Sequence, residues 1–121
     1  MIHIDQINLL VEVKNSSEEI KLCNTWVQLI LDKHNYQTTK TKDNDPNPKF
    51  DTKFTFNVDS SKKLKVQVWD EDKVGKDVLI GEDEIDLSEV ISKNHVDAWF
   101  NLTNDSKSTG EIHLIMEFTP K

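Results

Sequence analysis

Two adjacent stretches alternate so regularly that they leave the chain little choice of fold. Phe50, Phe54, Phe56 and Val58 sit at even spacings with Thr52, Lys53, Thr55 and Asn57 between or beside them; Leu64, Val66 and Val68 then alternate with Lys63, Lys65 and Gln67. A period of two puts one set of side chains on one face of an extended backbone, so both stretches read as strands with a buried inner face. The second ends at Trp69 and runs into an acidic loop over residues 70–77. Weaker versions of the same signal recur. Residues 7–13 are rich in branched side chains, and 79–87, 98–102 and 111–118 resume extended patterns. Residues 25–31 read as a strand whose inward face is ambiguous, because Trp26, Leu29 and Leu31 do not all share one side. A Thr-rich polar strand is expected over 36–42, and Pro46 and Pro48 mark a turn after it. Ser88 is placed to cap a short helical turn over Glu89, Val90 and Ile91, and a Ser- and Asn-rich turn is expected to end at Gly110. About eight short strands at this spacing, with no long helical pattern, predict an all-β fold. It is an antiparallel, eight-stranded, two-sheet β-sandwich with at most one short helical turn, forming a single domain over residues 6–119.

The 121 residues, 36% of them hydrophobic, suffice for one core. A net charge of −7, from 22 acids against 15 bases, opposes non-specific nucleic-acid binding and also unaided attachment to an anionic bilayer. No apolar run approaches the ~20 residues that span a membrane. The start, Met1-Ile2-His3-Ile4-Asp5, lacks a basic region with a long apolar stretch, and Cys23 is a lone cysteine. A cytoplasmic protein is expected. Neither metal-ligand spacing nor a nucleophile–base grouping accompanies His3, His34, His95 or His113, so no catalytic role is expected. Trp26, Trp69 and Trp99 adjoin alternating strands and are expected in the core.

Five segments, in order, resemble the C2 domain family. Asn47-Pro48-Lys49-Phe50-Asp51-Thr52-Lys53-Phe54-Thr55-Phe56 is similar to its N-P-x-W-N-E-x-F-x-F, with Phe for Trp and Asp for Asn. Val66-Gln67-Val68-Trp69-Asp70-Glu71-Asp72 is similar to V-x-V-W-D-x-D, and Ile80-Gly81 to the I-G pair that follows. Trp99-Phe100-Asn101-Leu102 and Gly110-Glu111-Ile112-His113-Leu114 resemble the closing W-F-x-L and G-E-I-x-L. The resemblance covers residues 9–118 and implies a sandwich that holds calcium between loop carboxylates at one end and binds phospholipid there.

Ca²⁺ takes 6–8 oxygen ligands, which carboxylates on separate loops can supply. The resemblance puts the calcium ligands at Asp70 and Asp72, with Asn24 and Glu18 from the first loop, and Asp77 beside them. Two substitutions deplete the set: Val78 stands where the family has a third aspartate of the same loop, and Asn24 replaces a charged ligand. Affinity falls with carboxylate number, so weak binding is expected, ~10⁻⁵ M or weaker. An Asp-x-Asp pair is also a common turn former. For lipid contact the expected residues are Val74 and Lys73 at the loop apex, with Lys40 and Lys42, which resemble a lysine pair that binds phosphoinositides in some members. A solvated strand face explains those two lysines more simply. The resulting expectation is a cytoplasmic module recruited by Ca²⁺ to anionic phospholipid, either phosphatidylserine or phosphoinositide. The alternative is a calcium-independent scaffolding domain that binds a protein partner.

Overall fold

In the computed structural model, which describes residues 5–15, 24–45, 47–58, 63–72 and 74–120, the alternating segments become eight strands and one helix. In chain order they are β1 Asp5–Asn15, β2 Thr25–Asp32, β3 Asn35–Thr38, β4 Lys49–Val58, β5 Lys63–Asp70, β6 Val78–Asp86, helix α1 Ser88–Lys93, β7 His95–Asn104 and β8 Lys107–Thr119. Their hydrogen-bonded order is β3-β2-β5-β6-β7-β8-β1-β4, and the neighbours pair antiparallel. The first four and the last four form the two layers of a sandwich, as the alternation predicts.

Between the layers the ladder narrows to the single pair Glu82–Thr103, where β6 hands over to β7. Asp83 follows, half-buried, and burial raises its carboxyl above the usual range. At the opposite side the edge strands β3 and β4 are joined by side chains: Asn35 Nδ2 donates to Asn57 O (3.1 Å) and Gln37 Nε2 to Thr55 O (2.7 Å). Edge carbonyls on β4 are thereby satisfied without a further strand.

The alternation places the core. Ile7, Leu9, Val11 and Val13 of β1 face Phe50, Phe54, Phe56 and Val58 of β4, and Leu64, Val66 and Val68 of β5 come from the other layer. Each such side chain contributes about 1.5–3 kcal/mol by leaving water. The ambiguous β2 resolves with Val27, Leu29 and Leu31 inward, and with them Thr25, whose hydroxyl donates to Asp45 O at 2.8 Å. Trp26 therefore points outward.

Several local expectations are corrected. The polar strand expected over 36–42 stops at Thr38, and Lys42 touches β2 only through an isolated bridge to Thr25. Ser88 lies inside α1 at its first turn. It is Asp86 Oδ1 that accepts from Ser88 N (2.9 Å) and Ser88 Oγ (2.6 Å), so an aspartate satisfies the hydroxyl expected to do the capping. Asn94 closes the helix in the left-handed conformation (φ 69°), its N–H donating to Val90 O at 2.8 Å. The β7–β8 turn is narrower than the stretch expected to end at Gly110: Asp105 and Ser106 alone make it, and strand β8 already starts at Lys107. Both have positive φ (51° and 67°), the two-residue hairpin geometry whose twist suits flanking strands.

The tryptophans expected in the core lie on the outer faces. Trp26 and Trp69 stack on each other across β2 and β5, with ring centroids 5.7 Å apart. Trp99, 45% exposed, lies against His113 (4.7 Å, 15° between planes). That imidazole is gripped from both sides, with Nδ1 3.1 Å from Glu12 Oε1 and Nε2 2.5 Å from Asp97 Oδ1. The hydrogen bond to Asp97 raises its pKa above 6.5 despite some burial, and Glu12 adds to the effect. A raised folded-state pKa gives stability that is fully present below the unfolded value of about 6.5 and is lost as pH rises through the folded value. The urea midpoint is therefore expected to fall as pH rises from 6 to 8.5, and this slope is expected to flatten in His113→Gln. Equal slopes in the two proteins would contradict the assignment.

Candidate functional site: the acidic end of the sandwich

β5 ends at Asp70, and β6 begins beside it, Asp70 opposite Val78. Asn24 arrives at the same end, because Thr25 at the start of β2 pairs with Asp70. The sequence-predicted residues Asn24, Asp70, Asp72 and Asp77 are thus brought together by two strand ends. Glu18 and Lys73 lie outside the described residues.

These side chains are held mainly by backbone groups of the same end. Asp70 Oδ1 accepts from Asn24 N at 3.0 Å, and Glu71 N donates to Asn24 O at 2.8 Å. The Asn24 amide makes two further bonds: Nδ2 donates to Glu71 O (3.3 Å), and Oδ1 accepts from Asn44 N (3.0 Å). Through its oxygen and its nitrogen the amide stitches the turn at 43–45 to the loop after β5. Asn44 itself is left-handed (φ 54°), a conformation Asn tolerates.

Asp72 accepts from Val74 N (2.9 Å) and Gly75 N (3.0 Å) through Oδ1, an aspartate-stabilised turn that throws Val74 to the apex, where it is 98% exposed. Asp77 is engaged through both oxygens: Oδ1 accepts from Asp72 N (3.1 Å) and Oδ2 from the Trp26 indole at 2.9 Å. Val78, at the family's ligand position, is 60% exposed. Asp70 and Asp72 each keep one carboxylate oxygen with no hydrogen bond among the described residues.

By donor chemistry, these two oxygens fit a hard cation in a low-charge site. Among the described residues, no three His, Cys, Asp or Glu side chains gather closely enough to hold one metal ion. Lys40 and Lys42 lie exposed beyond the end of β3, on the segment that returns to Thr25, not on a strand. Sequence reasoning missed Trp26 as a member of this end. Its signal was the parity of Thr25, Val27, Leu29 and Leu31, which sends position 26 outward next to Asn24.

The comparisons fit this architecture. Over 90 residues the chain is 32% identical to synaptotagmin-4 of Arabidopsis thaliana, a match covering 68% of this chain and 16% of that protein. The chain thus spans about a sixth of the length of the curated relatives it matches. A single C2 domain of plant extended synaptotagmin 1 superposes with a TM-score of 0.76 at 19% identity, covering 99% of this chain and 96% of that one. The paired C2 domains of extended synaptotagmin 2, with calcium bound, give 0.75 at 20% identity, over 95% of this chain and 45% of that one. The model of the C2 domain family matches residues 2–102, from β1 through the acidic loop to Leu102 of β7, and with the eight-stranded sandwich this places the chain in the C2 domain family.

Proposed function

We propose that this chain is a cytoplasmic, non-catalytic membrane-recruitment module whose acidic end docks on anionic phospholipid when Asp70 and Asp72 hold Ca²⁺. The observation that carries the reading is the pairing, at the end of β5 and on the loop after it, of two carboxylates that each keep an oxygen without a hydrogen bond among the described residues, beside a 98% exposed apolar apex at Val74. Glu18 and Asp77 complete the ligand set, Asp77 by exchanging its bonds to Trp26 and Asp72 N. Bound calcium supplies positive charge where a chain of net −7 otherwise repels phosphatidylserine or phosphoinositide headgroups. Val74 then enters the headgroup layer, with Lys73, Lys40 and Lys42 available to phosphates. A structural relative recorded with calcium bound and a relative named synaptotagmin support this reading.

A second reading, a calcium-independent scaffolding domain for a protein partner, is favoured by the hydrogen bonds that occupy Asp77 and Asn24 and by the apolar Val78. Vesicle sedimentation separates the two. The protein is expected to pellet with phosphatidylserine vesicles in millimolar Ca²⁺ and stay in the supernatant in chelator. Asp70→Asn with Asp72→Asn is expected to weaken the calcium-dependent fraction at least about tenfold, since affinity tracks carboxylate number. Equal pelleting in chelator, or no thermal stabilisation by millimolar Ca²⁺, would overturn the calcium reading.

A further inference from the structure

The outer face of β4, β1, β8 and β7 lies on a different surface from the acidic loop. Leu9 pairs with Phe54 and Val11 with Phe50, so Leu10 faces three residues of β4, 51–53. That bulge parts the strands and opens a groove. One hollow, of about 240 Å³, is walled by Leu10, Phe50 and Ile115 and rimmed by Glu12, Asp51 and His113, with Lys49 also at its edge. A smaller hollow, of about 100 Å³, adjoins it across Leu10 and Ile115 and is bordered by Asn8, Lys53 and Glu117. Both fall below the ~300 Å³ at which small-molecule sites begin, so each suits one side chain and not a cofactor.

Glu12 and Asn8, which mark the two hollows, are four residues apart on one strand, and Leu10 stands between them. Hollows on either side of one strand residue are spaced as alternate side chains of an extended chain are, roughly 7 Å. Apolar walls under charged rims suit a long aliphatic stem with a polar head. The sign of that head follows from the carboxylates: Glu12, Asp51, Asp97 and Glu117 outnumber Lys49, Lys53 and His113 around the groove, with His113 shared by Glu12 and Asp97 and His95 3.8 Å from Glu117. Beside them the Trp99 ring is exposed and fixed flat on His113, which Glu12 and Asp97 hold. A rigid aromatic plate of this kind receives a cation at little entropic cost.

We propose that this groove binds an extended segment of a partner protein carrying arginine or lysine at alternate positions, with aliphatic stems along Leu10 and Ile115 and cationic heads at Asp51, Asp97 and Trp99. The probe is a blocked Ser-Arg alternating octapeptide, titrated by NMR into the isotopically labelled full chain. The expected result is movement of the Leu10 and Ile115 methyl and Trp99 indole signals. A peptide of equal charge with diaminopropionate for arginine, lacking the stem, is expected to bind at least tenfold more weakly. Leu10→Lys and Trp99→Ala are each expected to weaken the arginine peptide at least fivefold, and Leu10→Lys, a substitution at a partly exposed site, keeps the test valid if Trp99→Ala unfolds. Equal binding of the short-stem peptide would overturn the proposal. So would shifts confined to the Asp70 loop, the same shifts on dilution of the protein alone or with phosphatidylserine vesicles, or unmoved groove signals.

Discussion

Phe56→Ala is expected to lower the stability of the domain by about 3–5 kcal/mol, the largest effect of any substitution considered for this chain. Phe56 is fully buried on β4, opposite Ile7 of β1, and reaches toward the other layer. Truncation removes the ring from an apolar site and leaves a cavity that two sheets, each locked by its ladder, can only partly close. Against a typical total of about 5–15 kcal/mol, that loss takes a large share. The melting temperature should drop by roughly 12–20 °C for a chain of this size. Urea unfolding with an unchanged slope and a lower midpoint is the expected signature. A loss below about 1 kcal/mol would mean that Phe56 is not packed as described.

Gly81→Ala is the second, expected to cost about 2–3 kcal/mol by overpacking. Gly81 is buried on β6, one residue before the Glu82–Thr103 pair that joins the layers. A Cβ there would stand 2.3 Å from Thr109 Oγ1 and 3.0 Å from Leu102 Cβ. Leu102 is fully buried and cannot retreat, while Thr109, half-buried on β8, can move only by giving up its bond to Leu102 O at 3.4 Å. Thr109→Ala in the same protein removes the worse clash and leaves the 3.0 Å one. The double variant is therefore expected to recover at least about 1 kcal/mol relative to the sum of the singles, measured by a double-mutant cycle. Additive losses would show that the strain lies elsewhere. The I-G pair on which part of the family resemblance rests thus has a packing reason for its glycine.

The fold was legible where one physical requirement dominates. In β4 and β5 burial on one face forces alternation, and the inward residues read from the sequence are the ones found inside. Trp26, Trp69 and Trp99 adjoin alternating strands, which suggests the core, but adjacency does not say which face a side chain takes. Their outward position follows from strand parity, and the indoles find one another, His113 and Asp77 on the surface instead. That the expected turn would shrink to Asp105 and Ser106 was not legible in the sequence. Glycine is the usual mark of positive φ, and here two polar residues adopt it while Gly110 sits in a strand. At the acidic end, it was the resemblance to the C2 family that grouped Asp70, Asp72, Asp77 and Asn24. It could not say that Asn44 would claim the Asn24 oxygen or Trp26 an Asp77 oxygen, since both partners come from remote segments.

The position of β1 between β4 and β8 bears on how the molecule acquires its structure. Its two neighbours lie at very different distances along the chain, and with β8 it forms a ladder running from Gln6–Thr119 to Asn15–Gly110. During synthesis β1 is made first and must wait for the last strand before its ladder can form. The β7–β8 hairpin, closed by two residues, asks for the least loop entropy and is suited to form early, offering β1 a template. Non-local closure of this kind slows folding and makes it all-or-none. A chain cut short before β8 would leave β1 with an unpaired edge and Leu9, Val11 and Val13 without Met116, Leu114 and Ile112 beside them, so such a truncation is a candidate for aggregation, not for a smaller working domain.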